Sequence, residues 1–419
     1  MSRAKPSAAR RRVAQGALPV STVPASQPLL PGALVDGRPA TLGVMGGGQL
    51  GRMFVHAAQA MGFETAVLDP DPASPAGCVS HHHIQTDYLD SKGLAQLARC
   101  SHAITTEFEN VPAAALLMLA RSRPVAPAAS AVSIAQDRAA EKAHFVQCDV
   151  PCAPYAVIDS EASLRAVAAG LLPGILKTAR MGYDGKGQVR VKNRAELAAA
   201  WASLKQVPCV LEKRLALDFE CSVIVARGAD GVCVHLPVQR NTHRDGILAV
   251  TEVHKENVPL PLARRAVSAS KSIANGLGYV GVLCVEFFVV KDAASRTGQS
   301  LVVNEIAPRP HNSGHYSMNA CDVSQFELQV RAMAGLPLVQ PRQHSPAIML
   351  NLLGDLWPAR GTPPWHQVLA LPGTHLHLYG KTEARPGRKM GHLNITGKTV
   401  ADVRATAATA AKLLGMRLL

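Results

Sequence analysis

Aromatic residues make up only 4% of this 419-residue chain. They do not interleave with basic residues as they would on a nucleic-acid-binding surface. No uninterrupted apolar run approaches the length that spans a bilayer. The longest, "VGVLCVEFFVV", is broken by Glu286, so no membrane partner is expected. The nine cysteines include no C-x-x-C pair and no zinc-type spacing. Their odd number and apolar contexts point to reduced, buried thiols in a reducing, cytoplasmic setting. His81 to His83 stand together without companions at zinc spacing and read as a polar surface tract. There is no internal repeat.

Acidic residues are scarce at the start of the chain. Residues 1 to 40 hold Arg3, Lys5, Arg10, Arg11, Arg12 and Arg38 against the single acid Asp36, so five of the fourteen net positive charges sit there. Repeated prolines break any long amphipathic helix, and the stretch 1–40 is expected to be a disordered basic tail or a transit-like extension. The remaining excess is spread without a basic block. Small phosphorylated ligands account for it, and nucleic acid is not expected.

What is present is an alternation of short apolar strands and helices from residue 41 to about 146, the pattern of an open parallel sheet with crossover helices. "IAQDRAAEKAHFVQC" reads as a connecting helix. A small unit follows over 147–213, with two strands joined by the glycine-rich "MGYDGKG". Residues 214–419 are strand-rich and close on a helix. The fold class is therefore α/β, becoming α+β toward the C-terminus, in three domains led by a Rossmann-like sheet.

The opening turn "GVMGGGQLGRM" places Gly46, Gly48 and Gly51 at G-x-G-x-x-G spacing, with Asp69 further on. Alone this is compatible with a nicotinamide-dependent oxidoreductase. That reading leaves four other constellations unexplained. First, Glu286 and Glu305 lie equidistant from the centre of the polar linker "KDAASRTGQS". In a hairpin they would face each other on one side of the ladder. Two such carboxylates repel, and an intervening cation resolves the conflict; oxygen donors on a rigid sheet suit magnesium. A solvated pair on an exposed sheet face is the alternative. Asn304 points the other way on a regular strand and joins the site only if the strand ends there.

Second, "KTARMGYDGKGQ" (177–188) combines Lys177 and Lys186 with Gly182, Gly185 and Gly187, as a flexible lid over a triphosphate would, although a plain glycine-rich hairpin turn would look similar. It is not a Walker A loop. Third, "NEIAPRPHNSGHYS" crowds Arg309, His311, Asn312, Ser313 and His315 just after the second glutamate, a density of donors suited to an anionic intermediate. Fourth, "KTEARPGRKMGHLN" gathers Lys381, Arg385, Arg388 and Lys389 in a loop that suits a monophosphate, or is simply an exposed basic turn.

These constellations, in this order, resemble the ATP-grasp superfamily. Within it, "GGGQLGRM", "TTEFENV", "QDRAAEK", "GYDGKGQ", "NTHRDGIL", "RPHNSGHY" and "RPGRKMGHLN" are similar to the 5-(carboxyamino)imidazole ribonucleotide synthase family, from about residue 42 to 397. Formate-dependent glycinamide ribonucleotide transformylase shares the architecture and a similar "RPGR" segment, and is the alternative ligase. The resemblance implies carboxylation of 5-aminoimidazole ribonucleotide by bicarbonate, with ATP and Mg2+, through carboxyphosphate, in purine biosynthesis. A homodimer is implied too.

Carried over motif by motif, Arg138 and Lys177 would meet the nucleotide phosphates under a lid of Gly182, Tyr183, Asp184, Gly185, Lys186, Gly187 and Gln188. Glu212, Lys213, Arg214 and Leu215 would line the adenine pocket, with Glu220 on the ribose and His243 nearby. Glu286 and Glu305 would hold the metal, with Asn304 counted among the nucleotide-binding residues. Arg309 and His311, with Lys177, would carry the chemistry. Gln49, Leu50, Glu107 or Glu109, Tyr183, Asp184, Asn312 and Ser313 would surround the ribonucleotide, whose phosphate would rest on Lys381 and Arg388. The glycine-rich turn would then face that substrate and not a dinucleotide, and the extension before residue 41 departs from the family pattern.

Overall fold

The computed structural model describes residues 27–182, 187–295 and 297–417. The first unit is a four-stranded parallel sheet in the order His82–Ile84, Glu64–Leu68, Thr41–Met45, Ala103–Thr106. The helix Gln49–Ala60 follows the first strand and buries Leu50, Met53, Phe54, Val55 and Ala58. Those positions share one helical face, so the helix is anchored by its apolar stripe.

Order begins earlier than the composition suggested. The stretch expected to be disordered to residue 40 is structured from residue 27 onward. Leu29 donates its N–H to the Ala334 carbonyl at 2.8 Å, and Arg38 Nη1 donates to the Arg99 carbonyl at 2.6 Å. A short hairpin, Leu34–Val35 with Arg38–Pro39, leads to a buried Ala40. Apolar contact made by Leu29 and Val35 with the first core is what the charge count could not show. Residues 1–26 lie outside the described residues.

The connecting helix is two helices, Ala129–Ala135 and Arg138–Gln147. Asp137 causes the break: its carboxylate accepts the N–H groups of Ala139 and Ala140, which starts a second helix. The small unit carries a four-stranded antiparallel sheet, ordered Tyr155–Ile158, Cys209–Lys213, Gly174–Thr178, Gln188–Val191. Its core holds Leu176, Leu197, Trp201 and Leu211.

The largest sheet has nine strands and runs unbroken from Gln299–Ala307 through Gly281–Lys291, Leu217–Arg227, Gln239–Arg244, Ile247–Val253, Ala347–Leu353 and Lys389–Thr396 to Thr374–Leu378, with Cys233–His235 paired to one side. The helices Leu260–Gly276 and Val400–Leu413 bury apolar faces in two of its core clusters. Among the described residues no helix is long and apolar enough to cross a membrane. The nine cysteines are all unpaired.

Candidate active site

A cleft of about 770 Å3 opens between the small sheet and the large one. One wall is the hairpin of Gly281–Lys291 and Gln299–Ala307. Glu286 pairs directly with Glu305, but on the turn side of that pair Phe287 faces Val303, so Asn304 is the extra residue of a bulge. The strand therefore does not have to end for Asn304 to reach the cleft; it continues to Ala307. Asn304 lines the cleft, and its buried Oδ1 finds no hydrogen-bond partner among the described residues.

Each of the two glutamates has its own partner. His311 Nε2 lies 3.0 Å from Glu286 Oε1, and Arg138 Nη1 donates to Glu305 Oε2 at 3.1 Å. Burial works against charge on Glu286, but the neighbouring His311 outweighs it and holds the carboxyl down to about 2. Among the described residues, Cys284, Glu286 and His311 bring ligand atoms within 4.8 Å of one another. Burial pushes the Cys284 thiol well above its ordinary range, and the residue belongs to a hydrophobic core cluster, not to the cleft lining. The carboxylates of Glu286 and Glu305 and the orphan Asn304 oxygen form a hard-oxygen set of the kind magnesium takes.

The helix Arg138–Gln147 crosses behind this strand. Besides Arg138, it presents Glu141, which accepts the Ile306 N–H at 2.7 Å, and Lys142, which donates to the Asn304 carbonyl at 3.0 Å. Burial raises the Glu141 carboxyl to about 8. Both residues stand in "QDRAAEK", yet only Arg138 was singled out there. Their spacing of three and four from Arg138 was the available signal, since it places all three on one helical face.

Lys177 and Glu212 occupy adjacent strands of the small sheet and pair at 3.0 Å. Burial lowers the Lys177 pKa, with Glu212 opposing that effect. Glu212 is thus engaged by lysines through its side chain, while Lys213, Arg214 and Leu215 follow it along the cleft lining. Glu220 and His243 sit further along the same wall and are paired with each other. Burial disfavours charge on His243, but the hydrogen bond to Glu220 and the nearby carboxylates of Glu286, Glu220 and Glu305 together raise the pKa. Gly182 and Gln188 line the mouth. Gly187 has φ +70°, and a Cβ there would meet Thr178 Oγ1 at 2.7 Å, so glycine is required where the turn rejoins its strand. Tyr183, Asp184, Gly185 and Lys186 lie outside the described residues.

Arg309 and His311 both line the cleft, as does Glu109, which pairs with Arg309 Nε at 2.5 Å. Burial opposes ionisation of Glu109, but the arginine prevails and holds it at about 2. Ser313 is a correction: expected at the substrate, it is fully buried beneath His311, 3.0 Å from the imidazole Nδ1 and 2.9 Å from Ser222 Oγ. Asn312 reaches the lining but turns its Oδ1 to His315, 3.1 Å away. A regular run of polar residues in sequence does not reveal which of them turn inward on a tight 3-10 turn.

The first domain contributes a second, adjoining cluster. Lys381 Nζ donates to Gln49 Oε1 and to the Lys389 carbonyl, both at 2.8 Å. Burial, and then Arg388, lower the Lys381 pKa to about 8. Arg388 Nη1 donates to the Glu383 carbonyl at 2.9 Å, and Lys389 is the loop residue that lines the main cleft. The Leu50 side chain packs in the first core. Glu107 and Glu109 separate cleanly: Glu109 faces the cleft, whereas buried Glu107 accepts the N–H groups of Gly48 at 3.0 Å and Gly51 at 3.1 Å. Asp69 accepts the Gly47 N–H at 2.6 Å. Three amides of this turn are thereby taken by the protein's own carboxylates and are not free for a pyrophosphate. His81, His82 and His83 engage Thr65, Glu64 and Ser74 separately, as adjacent side chains on a strand edge should.

Three stretches of the chain match known families. The ribonucleotide synthetase preATP-grasp domain matches residues 40–136, the ATP-grasp domain 143–326, and the phosphoribosylaminoimidazole carboxylase C-terminal domain 347–406. An N5-carboxyaminoimidazole ribonucleotide synthase from Brucella melitensis is 44% identical over 84% of this chain and 95% of its own length. The Staphylococcus aureus N5-carboxyaminoimidazole synthetase complexed with ADP superposes with a TM-score of 0.82 at 35% identity, covering 93% of this chain and 100% of that one. The Aspergillus clavatus synthase, in complex with ADP and 5-aminoimidazole ribonucleotide, gives 0.80 at 29% identity, covering 90% and 99%.

Proposed function

The chain belongs to the N5-carboxyaminoimidazole ribonucleotide synthase family, ATP-dependent carbon–nitrogen ligases of purine biosynthesis with the ATP-grasp fold, and on that footing we propose how its residues divide the reaction. ATP lies in the cleft between the two sheets, its phosphates met by Arg138 and Lys177 and its base beside Lys213, Arg214 and Leu215. Glu220, fixed by His243, takes the ribose hydroxyls. Glu286, Glu305 and Asn304 would hold magnesium, which when bound offsets charge on the transferring phosphoryl group.

Bicarbonate is the first acceptor. One of its oxygens attacks the γ-phosphorus, the bond to the ADP oxygen breaks, and carboxyphosphate forms. Arg309 and His311 receive that anion: they stand on the loop leaving the Glu305 strand and line the same cleft. The amine of 5-aminoimidazole ribonucleotide then takes the carboxyl carbon, phosphate departs, and the amine gives up a proton. Lys381 and Arg388 hold the ribonucleotide phosphate beside Gln49, while Glu109 keeps Arg309 extended between the two clusters. A closed cleft protects the acyl phosphate from water.

The observation that carries this reading is that the Glu286–Glu305 pair, the phosphate cations and Arg309–His311 all line one cleft. The test is phosphate release from ATP with bicarbonate, with and without 5-aminoimidazole ribonucleotide. Stimulation only when the ribonucleotide and bicarbonate are both supplied supports it. Equal activity with formate in place of bicarbonate, or none with either, rejects it.

A further inference from the structure

Lys142 is the most thoroughly enclosed cation near the cleft: its side chain has 0% exposure. It touches no surface that a ligand could reach, yet it joins both walls of the nucleotide site. Its Nζ donates to the Asn304 carbonyl at 3.0 Å, on the large sheet, and lies 3.2 Å from Glu212 Oε1, on the small one. Glu212 has one further oxygen, Oε2, and Lys177 holds it at 3.0 Å. One carboxylate is thus shared by two lysines, of which Lys177 lines the cleft and Lys142 does not.

The neighbours of Lys142 sharpen the point. Arg138, Glu141 and Lys142 come from one helical face and engage Glu305, Ile306 and Asn304 in turn. These three residues are consecutive, and they begin at Asn304, the extra residue of the bulge, and at Glu305 beside it. A buried carboxylate that loses its partner is strongly destabilised, because it has exchanged water for nothing. Lys177 cannot turn from Glu212 to an anion unless something else stays with Glu212.

We propose that Lys142 is a positioning residue for the nucleotide: it remains on Glu212 and the Asn304 carbonyl while Lys177 swings from Glu212 to the phosphates. It thereby keeps Glu212 compensated and the bulge in place through both states. A methionine fills a similar volume but performs neither task, whereas an arginine keeps the charge. The inference rests on the cleft being the ATP site.

Full-length wild type, Lys142→Met, Lys142→Arg and the double variant Lys142→Met/Glu212→Gln are titrated with ADP by calorimetry and assayed with ATP and 5-aminoimidazole ribonucleotide. Lys142→Met should raise the ADP Kd and the KM for ATP on the order of 10- to 100-fold, as outer-shell partners do. The KM for the ribonucleotide should stay nearly unchanged. Lys142→Arg should retain more nucleotide affinity than Lys142→Met, and the double variant should recover the part lost to the stranded carboxylate but not the part lost with the Asn304 anchor. If Lys142→Met does not fold, the double variant, which has neither charge, carries the test by the same criterion. Unchanged ADP affinity in Lys142→Met, equal loss for both substrates, or a folded double variant without recovery overturns the role. A wild type that fails to bind ADP overturns the nucleotide site itself; a wild type that binds beside an equally competent Lys142→Met overturns Lys142 alone.

Discussion

Glu286 and Glu305 face each other directly across an antiparallel ladder, and each is held by a different side chain, His311 for the first and Arg138 for the second. The pair is therefore poised and not repelled: the same charges that neutralise it here line the cleft where phosphate and magnesium are proposed to sit. Replacing Glu305 by Gln removes one hard anionic donor and the Arg138 partner while preserving shape. Turnover should fall by more than about 100-fold, beyond the effect typical of outer-shell ligands, with the fold intact. Activity across a magnesium titration and circular dichroism check this; near-normal turnover would refute the metal assignment.

Lys381 should separate the two substrates. Lys381→Ala should raise the KM for 5-aminoimidazole ribonucleotide at least about tenfold, the scale of a lost charge-assisted contact, and leave that for ATP nearly unchanged. Because burial and Arg388 bring this lysine down to about 8, its positive form is present below that pH and lost above it. The kcat/KM for the ribonucleotide should accordingly decline as pH rises through about 8, and Lys381→Arg should remove that limb. Steady-state kinetics between neutral and alkaline pH decide it; parallel changes for both substrates would mean the phosphate lies elsewhere.

The Arg309–Glu109 pair makes a prediction about acid stability. Glu109 titrates at about 2 in the folded chain, below its ordinary value of 4.5, so it binds protons less readily folded than unfolded. Its contribution is complete above the ordinary carboxylate range and disappears as pH falls through the folded value. Glu109→Gln should cost about 2–3 kcal/mol at neutral pH, a difference that narrows steadily toward pH ~2. Denaturant unfolding of both proteins across that window measures it, and a pH-independent gap would contradict the assignment.

The glycine-rich turn should reject nicotinamide cofactors. The Gly47, Gly48 and Gly51 amides are occupied by Asp69 and Glu107, and a Cβ on Gly48 would come within 2.5 Å of Glu107 Oε1. Gly48→Ala should therefore destabilise the first domain by about 1–3 kcal/mol, seen as a lower melting temperature. NADH fluorescence should be unchanged on titration with the wild type. Tight NADH binding would restore the oxidoreductase reading.

Much of this site was legible from local pattern. Strand and helix periods located the opening turn. Glu286 and Glu305 pair as their placement about the linker suggested, but the turn alone would oppose Glu286 to Asn304, and the bulge at Asn304 supplies the one-residue shift that brings Glu305 opposite. The exceptions share a cause. Asn304 reached the cleft through a bulge, Ser313 and Leu50 turned inward, and Glu141 and Lys142 went unremarked behind Arg138. In each case the deciding fact was a direction or a partner, not a residue type.

Determined by the sequence alone were the chemistry available and its order along the chain: paired carboxylates, glycine-rich turn, donor-dense loop and basic loop, with few aromatics and no spanning segment to suggest another use. Only the tertiary structure decided which groups meet. Glu212 is joined to Lys142 and Lys177 across 70 and 35 positions of chain, and Lys381 to Gln49 across 332. Such contacts depend on how three sheets pack, and nothing in a local window encodes the distance between residues that only packing brings together.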